Sequence, residues 1–459
     1  MRHMRKLRSF AAGDSRVFCE CTGGEDHLID ATFLVYLKHF SQGSLPVRYI
    51  WFNHRMGPDS RLEWPMSLDV PALLAGGWRP FPFREFIVKI HSRCDLSCDY
   101  CYMYEMADQS WRAQPRRMAM DTAKWAASRI GEHARAYDLS SIVLILHGGE
   151  PLLAGHELIR YLVAATREAA GPGIQVDVRV QTNAVGLDDA YLELFCELGI
   201  QVGVSLDGAA QAHDRHRRFA SGRGSYAAVS AALQRMLQPR YRHLFSGLLC
   251  TIDLRNEPVA TYEALAAFDP PRIDFLLPHG TWEAPPPGRG PTADDSPYGD
   301  WLVEIFDHWY TEPRTSVRLF EEIMQLLLNG TSSGETVGLA PAAMVVIETD
   351  GSVEQVDTLK AVYQGASATG LHVTSDPLAE ALLLPGVVAR QLGAMALSAQ
   401  CRTCPIHRVC GGGNYPHRYR PGTGFANPSV YCPDLMRLIG HVRNTVQADL
   451  SKRLLGRGT

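Results

Sequence analysis

The chain has 459 residues, room for two or three domains and a large core. Its 46% hydrophobic and 20% charged content reads as a soluble globular protein, and a net charge of −4 offers no basic field for nucleic acid. No run of about eighteen apolar residues is present to span a membrane, and no apolar stretch follows the basic residues 1–8, so no secretion signal is expected.

Residues 1–80 carry the weakest pattern. Residues 29–40 fit a helix or a buried strand, 48–52 a strand, and prolines with the Gly76-Gly77 pair then break regularity. The Cys19/Cys21 pair has no partner pair nearby and reads as free thiols. From about residue 78 to 278, β and α patterns alternate. Strands are expected over 86–90, 142–146, 176–180, 200–206, 248–252 and 273–277. Helices are expected over 121–137, with Asp121 as N-cap, and over 157–170, 190–198, 226–237 and 258–268. The continuous apolar run 142–146 suggests a parallel strand buried on both faces. Six β/α repeats imply an α/β fold with a parallel sheet and right-handed crossovers, a partial (β/α)6 barrel. Residues 283–297 are rich in Pro and Gly and read as a loop. Helices over 300–310 and 317–328, a hairpin of strands 344–348 and 352–356 around Asp350-Gly351, and a closing helix over 434–452 follow. The expected division is an N-terminal segment (1–77), the barrel (78–282), a bridge (283–340) and a C-terminal domain (341–459).

The chemistry concentrates on cysteine. Cys94, Cys98 and Cys101 lie within eight residues, just after the first barrel strand. Strand C-terminal ends are where α/β sheets place their chemistry. Three such thiolates suit iron, zinc or an iron–sulfur cluster, and a [4Fe–4S] cluster held by three of them keeps one iron open. A second group, Cys401, Cys404, Cys410 and Cys432, has the makings of a closed site, for which zinc and iron–sulfur are equally suited. Clusters at ligand spacing, in a chain without a secretion signal, point to metal in a reducing cytosol rather than disulfides. The strand over 142–146 runs into His147-Gly148-Gly149-Glu150-Pro151, where glycines allow close backbone approach and a carboxylate can accept from an ammonium group. The next strands end in Gln181-Thr182-Asn183 and Ser205-Leu206-Asp207, which puts polar groups at the same sheet edge. Residues 213–218 form a basic run of the kind that usually faces solvent.

The C-x3-C-x2-C spacing, with Tyr100 before its last Cys and the Gly148-Gly149-Glu150-Pro151 turn downstream, resembles the radical S-adenosylmethionine (SAM) superfamily. That resemblance implies a [4Fe–4S] cluster on Cys94, Cys98 and Cys101, SAM chelated to its open iron, and one-electron cleavage of SAM to a 5′-deoxyadenosyl radical. It also implies that Gly148, Gly149 and Glu150, with Pro151 closing the turn, hold the SAM amino group and that Tyr100 flanks the adenine. Thr182, Asn183, Ser205 and Asp207 would contact the ribose and methionine parts, and Arg217 would pair with the carboxylate. The C-x2-C-x5-C-x21-C group resembles the SPASM extension of peptide-modifying members, which carries auxiliary [4Fe–4S] clusters. Here the usual seven cysteines are reduced to four: Val356 and Asn414 stand where thiols are expected, and no Cys lies near Ala343. Four thiols imply one auxiliary cluster.

Several stretches are similar to the FxsB family of SPASM enzymes: His91-Ser-Arg-Cys94-Asp-Leu, Ala107-Asp-Gln-Ser-Trp111, Ile347-Glu-Thr-Asp-Gly351 and Gly411-Gly-Gly-Asn-Tyr-Pro-His-Arg-Tyr419 among them. The likeness covers roughly residues 78–440. It implies an oxidoreductase that cross-links side chains of a ribosomally made precursor peptide to cyclophane-type products, with C–C or C–heteroatom bonds, and an external flavodoxin- or ferredoxin-type electron donor in the cytoplasm. Sulfatase-type side-chain oxidation or thioether formation is the rival enzyme reading, and a non-catalytic iron–sulfur or zinc redox sensor the rival of another class.

Overall fold

The computed structural model describes residues 63–289, 295–332 and 334–455, with the backbone of two short strands before them. Residues 1–59 and 60–459 form two compact units. In the first, β1 (Arg16–Cys19) pairs antiparallel with β2 (His27–Asp30). Cys21, most of the 29–40 segment and the 48–52 segment fall outside the described residues.

The second unit is built on one ten-stranded sheet, in the order β12-β11-β10-β3-β4-β5-β6-β7-β8-β9. Its centre is six parallel strands in chain order: β3 (Glu85–His91), β4 (Ser141–Gly148), β5 (Gln175–Thr182), β6 (Ile200–Ser205), β7 (Phe245–Thr251) and β8 (Arg272–Leu276). The expected (β/α)6 unit is therefore present. It stays open, since β12 (Ala368–His372) and β9 (Ser316–Val317) end the sheet at opposite edges. The expected hairpin forms as β10 (Met344–Ile347) and β11 (Ser352–Glu354). It is not a separate element: β10 lies parallel beside β3 and extends the barrel sheet.

Residue alternation decides how the sheet is covered. Along β4, Ile142, Leu144 and Leu146 are at most 1% exposed, while Val143 and Ile145 are only partly buried. β5 repeats the pattern with Val176, Val178 and Val180 inward to the core and Asp177 and Arg179 exposed. The expectation that 142–146 is buried on both faces is thus corrected. Helices cover one face only, and the other lines an open hollow. The helices Met120–Ala136 and His156–Ala170 lie close because Gly131 faces the Ala169 backbone, where a Cβ would collide. The first of these begins one residue earlier than expected. Ala119 is its N-cap, and Asp121 sits in the first turn, where its charge favours the helix dipole. Short helices Val70–Ala75 and Ala210–His216 were not expected, being too brief to show periodicity.

The closing helix Cys432–Leu455 is tied down at its start. Asp434 accepts from the Tyr298 and Gly299 backbone N–H groups, at 3.0 Å each, and pairs with Arg289 at 2.9 Å. No described helix is long and apolar enough to cross a membrane.

One buried group gives the core a pH dependence. His133 is 3% exposed, its ring nitrogens lack hydrogen-bond partners, and it packs on Phe83, Phe86 and Tyr137. Burial lowers its pKa to about 4, against a weaker pull from the Phe83 backbone. Between the ordinary histidine value and about 4, the unfolded chain therefore binds the extra proton, and stability falls as pH falls. His133→Phe should remove a loss on the order of 3 kcal/mol over that window. Denaturant titrations of both proteins at pH 7 and pH 4.5 test this: the wild type should lose more than the variant, and equal losses would refute it.

Candidate cluster and cofactor site

The loop leaving β3 is bolted before it reaches its first thiol. Arg93 donates to the carbonyls of Ser92, Trp111 and Gln114 and lies over the Trp111 ring at 5.0 Å. Tyr104 donates to the Ser92 carbonyl at 3.0 Å and meets Trp111 edge-on. The β4 exit presses against this loop at two glycines. Gly148, at φ 144°, faces the His91 carbonyl, and Gly149 faces Arg93 and the Tyr104 hydroxyl, so neither site has room for a Cβ.

The three loop thiols line one cavity at the C-terminal edge of the sheet. N–H groups converge on them. Cys94 Sγ accepts from the Leu96 backbone at 3.4 Å and from Asn183 Nδ2 at 3.6 Å, and Cys101 from the backbone of Met103 and Tyr104. Burial pushes the Cys98 thiol up to about 11 and raises Cys94 and Cys101 as well. The loop thus disfavours bare thiolates while offering hydrogen bonds to bound sulfur, the condition a cationic metal centre reverses.

The same cavity, of about 340 Å3, is lined by Tyr100, Gly148, Gly149, Glu150, Thr182, Asn183, Ser205, Asp207 and Arg217. Of the residues expected at the cofactor, only Pro151 stays behind the wall, buried at the start of a 3-10 turn. The side chains differ in what they leave free. Glu150 is 1% exposed and accepts from Leu152 N, Thr182 Oγ1 and Asn183 N, at 3.0, 2.7 and 2.8 Å. Three of its roughly four acceptor positions are thereby filled. Burial still raises its pKa to about 7. Thr182 donates to Glu150 and accepts from Ala184 N at 2.9 Å, which leaves it no free donor. Both residues clamp the β4 and β5 exits together. Asp207 accepts from Thr251 N at 3.0 Å and from the Tyr100 hydroxyl. Arg217 donates to that hydroxyl at 2.9 Å, and its buried Nε has no partner. The basic run 213–218 is therefore not a solvated face. His213 is 0% exposed and bonded to Ser225 and the Asp207 backbone, and Arg217 faces the cavity.

The second thiol group gathers elsewhere. Burial raises Cys410 to about 12 and Cys432 to about 11, and Cys401, Cys410 and Cys432 lie within electrostatic reach of one another, with Cys404 near Cys432. Cys410 accepts from the Gly412 backbone. Arg418 fixes that turn by donating to the carbonyls of Gly411, Gly412 and Gly413 at 2.7–3.1 Å. Among the described residues, no three His, Cys, Asp or Glu side chains are set to share a single metal ion. A cluster of several irons holds its thiolates farther apart than one ion does, so that spacing does not bear against a cluster.

Sequence reasoning missed the remaining wall. Tyr102, His147, His279 and His417 line the cavity, and His417 lies 3.4 Å from His279. Behind them sits a buried charge cluster. Lys89 meets Glu348 at 2.8 Å and Asp357 at 3.9 Å, Lys360 meets Glu348 at 3.0 Å and Glu354 at 2.7 Å, and Tyr102 donates to Asp357 at 2.9 Å. His147 opens the Gly-Gly-Glu-Pro stretch, and its place there was a usable signal. Tyr102 follows Cys101 and reads from the sequence as packing beside the thiol loop, and His417 lies in the 411–419 stretch; His279 carries no signal in local sequence.

Comparison with known proteins places this geometry. Residues 88–250 match the profile of the Radical SAM superfamily. The serine-type anaerobic sulfatase-maturating enzyme of Klebsiella aerogenes is 24% identical over 343 residues, 74% of this chain and 81% of that protein. The cysteine-type enzyme of Clostridium perfringens (strain ATCC 13124) is 24% identical over 283 residues, 60% and 74% of the two chains. Among solved structures, native anSMEcpe with bound AdoMet and Cp18Cys peptide superposes with a TM-score of 0.68 at 20% identity, covering 81% of this chain and all of that one. Streptococcus suis SuiB bound to precursor peptide SuiA gives 0.52 at 14% identity, covering 87% of each. At such identities the structural likeness establishes the fold. The chain carries a radical SAM domain homologous to that of the anaerobic sulfatase-maturating enzymes, and it is a radical SAM enzyme.

Proposed function

We propose that the chain binds a [4Fe–4S] cluster on Cys94, Cys98 and Cys101, and SAM beside it, to oxidise and cross-link side chains of a ribosomally made precursor peptide. The observation that carries the reading is the convergence of three thiols, the Gly148-Gly149 turn and the orphaned Arg217 Nε on one cavity. When bound, cluster and SAM supply a 5′-deoxyadenosyl radical able to take hydrogen from an unactivated carbon. The chain's own residues bind and orient. Backbone at Gly148 and Gly149, with the last acceptor position of Glu150, suits an ammonium group. Arg217 suits a carboxylate. Asn183 and Leu96 fix the sulfur of Cys94. Ser205, Asp207 and Tyr100 form the wall left for ribose and adenine.

Cys401, Cys404, Cys410 and Cys432 would hold one auxiliary cluster that takes up the surplus electron, and a flavodoxin- or ferredoxin-type donor would reduce the first. Residues 78–282 form the catalytic barrel in this reading, 283–340 a bridge and 341–459 the SPASM-like domain. Support for a peptide substrate comes from the relatives solved with bound peptides and from the stretches similar to FxsB enzymes. Formylglycine-type oxidation is the second reading, favoured by the sulfatase-maturating relatives. The two differ in product: a cross-linked peptide resists backbone fragmentation between the joined residues, whereas formylglycine reacts with a hydrazide.

With dithionite and SAM under anaerobic conditions, reconstituted wild type should form 5′-deoxyadenosine and the Cys94/Cys98/Cys101→Ala triple variant should not. Nucleoside from both, or from neither with iron fully loaded, would sink the assignment. Separately, Cys404→Ala should lose roughly half the reconstituted iron yet still cleave SAM. Unchanged iron would remove the auxiliary cluster from the reading.

A further inference from the structure

The hollow face of the sheet holds two cavities. The front one contains the thiols and the expected cofactor groups. A rear one, of about 500 Å3, lies against β5–β8 behind Gln181, beside Arg179, Gln201, Ser246, Arg272 and Asp274. In a closed (β/α)8 barrel this space is packed with branched side chains. Here the inward positions of β6 and β7 include Gly203 and Gly247 beside Gln201 and Leu249, and Arg179, Gln181, Arg272 and Asp274 occupy those of β5 and β8. Arg179 and Arg272 are exposed, so the rear cavity opens to solvent. Gln181 and Leu249 line both cavities. Gln181 Nε2 donates to Ser205 Oγ at 3.1 Å, which stretches the amide across from β5 to β6. Its Oε1 lies over Gly203, where a Cβ would stand 2.5 Å away. The glycine is the space that lets the amide lie flat across the hollow.

We propose that Gln181 is a seal: it divides the cofactor cavity from a solvent-filled rear entrance and keeps small diffusible oxidants and hydrogen donors from reaching the cluster from behind. The inference rests on the cluster and SAM assignment above. A polar seal suits this position. An amide can be held by one hydrogen bond to Ser205 and still bear on water behind it, while its stem packs beside Leu249. Exclusion matters because a reactive intermediate is lost to any small molecule that reaches it.

The test is the rate at which dissolved oxygen bleaches the cluster absorbance at saturating SAM, compared at equal SAM occupancy set from calorimetric titration. SAM then covers the front, and that route is common to all variants. Gln181→Ala should bleach at least threefold faster than wild type. Gly203→Ala, whose Cβ would displace the amide while leaving Gln181 itself unchanged, should do the same. Gln181→Met, which fills the space, should stay within about twofold of wild type. Equal rates for wild type and both alanine variants would overturn the seal, as would loss of SAM binding in Gln181→Ala, which would make the residue a cofactor contact. Failure of the underlying reading looks different: wild type itself would hold no cluster, or SAM would not slow its bleaching.

Discussion

The structure turns on a lysine with no water. Lys89 stands in β3, 0% exposed, one turn of chain before the thiol loop. Burial alone would strip its proton, but Glu348, Glu354 and Asp357 together raise its pKa instead. Those carboxylates come from the β10–β11 hairpin and the segment after it, some 260 residues downstream. Lys360 adds a second cation to the same carboxylates. Buried ion pairs add little net stability over apolar packing, yet removing one partner costs about 3–5 kcal/mol. The cluster therefore acts as a register pin. It admits one seating of β10 beside β3, and the C-terminal residues can reach the cavity only in that seating.

From that pin the cavity follows. Helices bury one face of β3–β8 with Val, Ile and Leu, and this is where the stabilising apolar burial lies. The opposite face carries a mixture of apolar and polar residues and is covered only in part, by the carboxylates around Lys89 and by the segment with Asn414 and His417. At its front edge, the β4 and β5 exits are drawn together by Glu150, whose carboxylate collects three donors. Asp207 does the same between Tyr100, Thr251 and the reach of Arg217. Two buried acids thus set the strand spacing that decides where a ligand's charged ends can lie.

Local motifs were legible in the sequence, and distant partnerships were not. Cys94, Cys98, Cys101 and the Gly148-Gly149 turn carry their meaning in short spacing, and the structure brings them to one cavity with Arg217. Strand positions were legible because Val and Ile alternate or run together. Whether a run is covered once or twice depends on helices elsewhere, which is why 142–146 was read as doubly buried. Thr182 lines the cavity as its strand-end position suggests, with its hydroxyl proton directed to Glu150, a partner 32 residues away that local sequence does not show. Lys89 and His279 sit in ordinary local sequence, and although His417 lies in the singled-out 411–419 stretch, only the long return of the chain gives it and Asp357 their neighbours.

The two thiol groups are held by unlike devices, and this bears on how the molecule works. The first hangs from a sheet edge and inherits its rigidity from β3 and β4. The second depends on a turn of three glycines, all at positive φ, wound around Arg418. That turn feeds directly into Asn414 and His417, which close the cavity opposite the cofactor wall. His417 then meets His279, carried on the segment after β8. Burial holds both imidazoles neutral, His279 to about 4. Two neutral rings can share a hydrogen bond, one donating and the other accepting, without placing a charge in the wall. The C-terminal extension is therefore more than an appended metal domain. It supplies Thr358, Asn414, His417 and Leu435 to the chamber wall, and the loop that shapes the second thiol site is the same loop that carries Asn414 and His417 there.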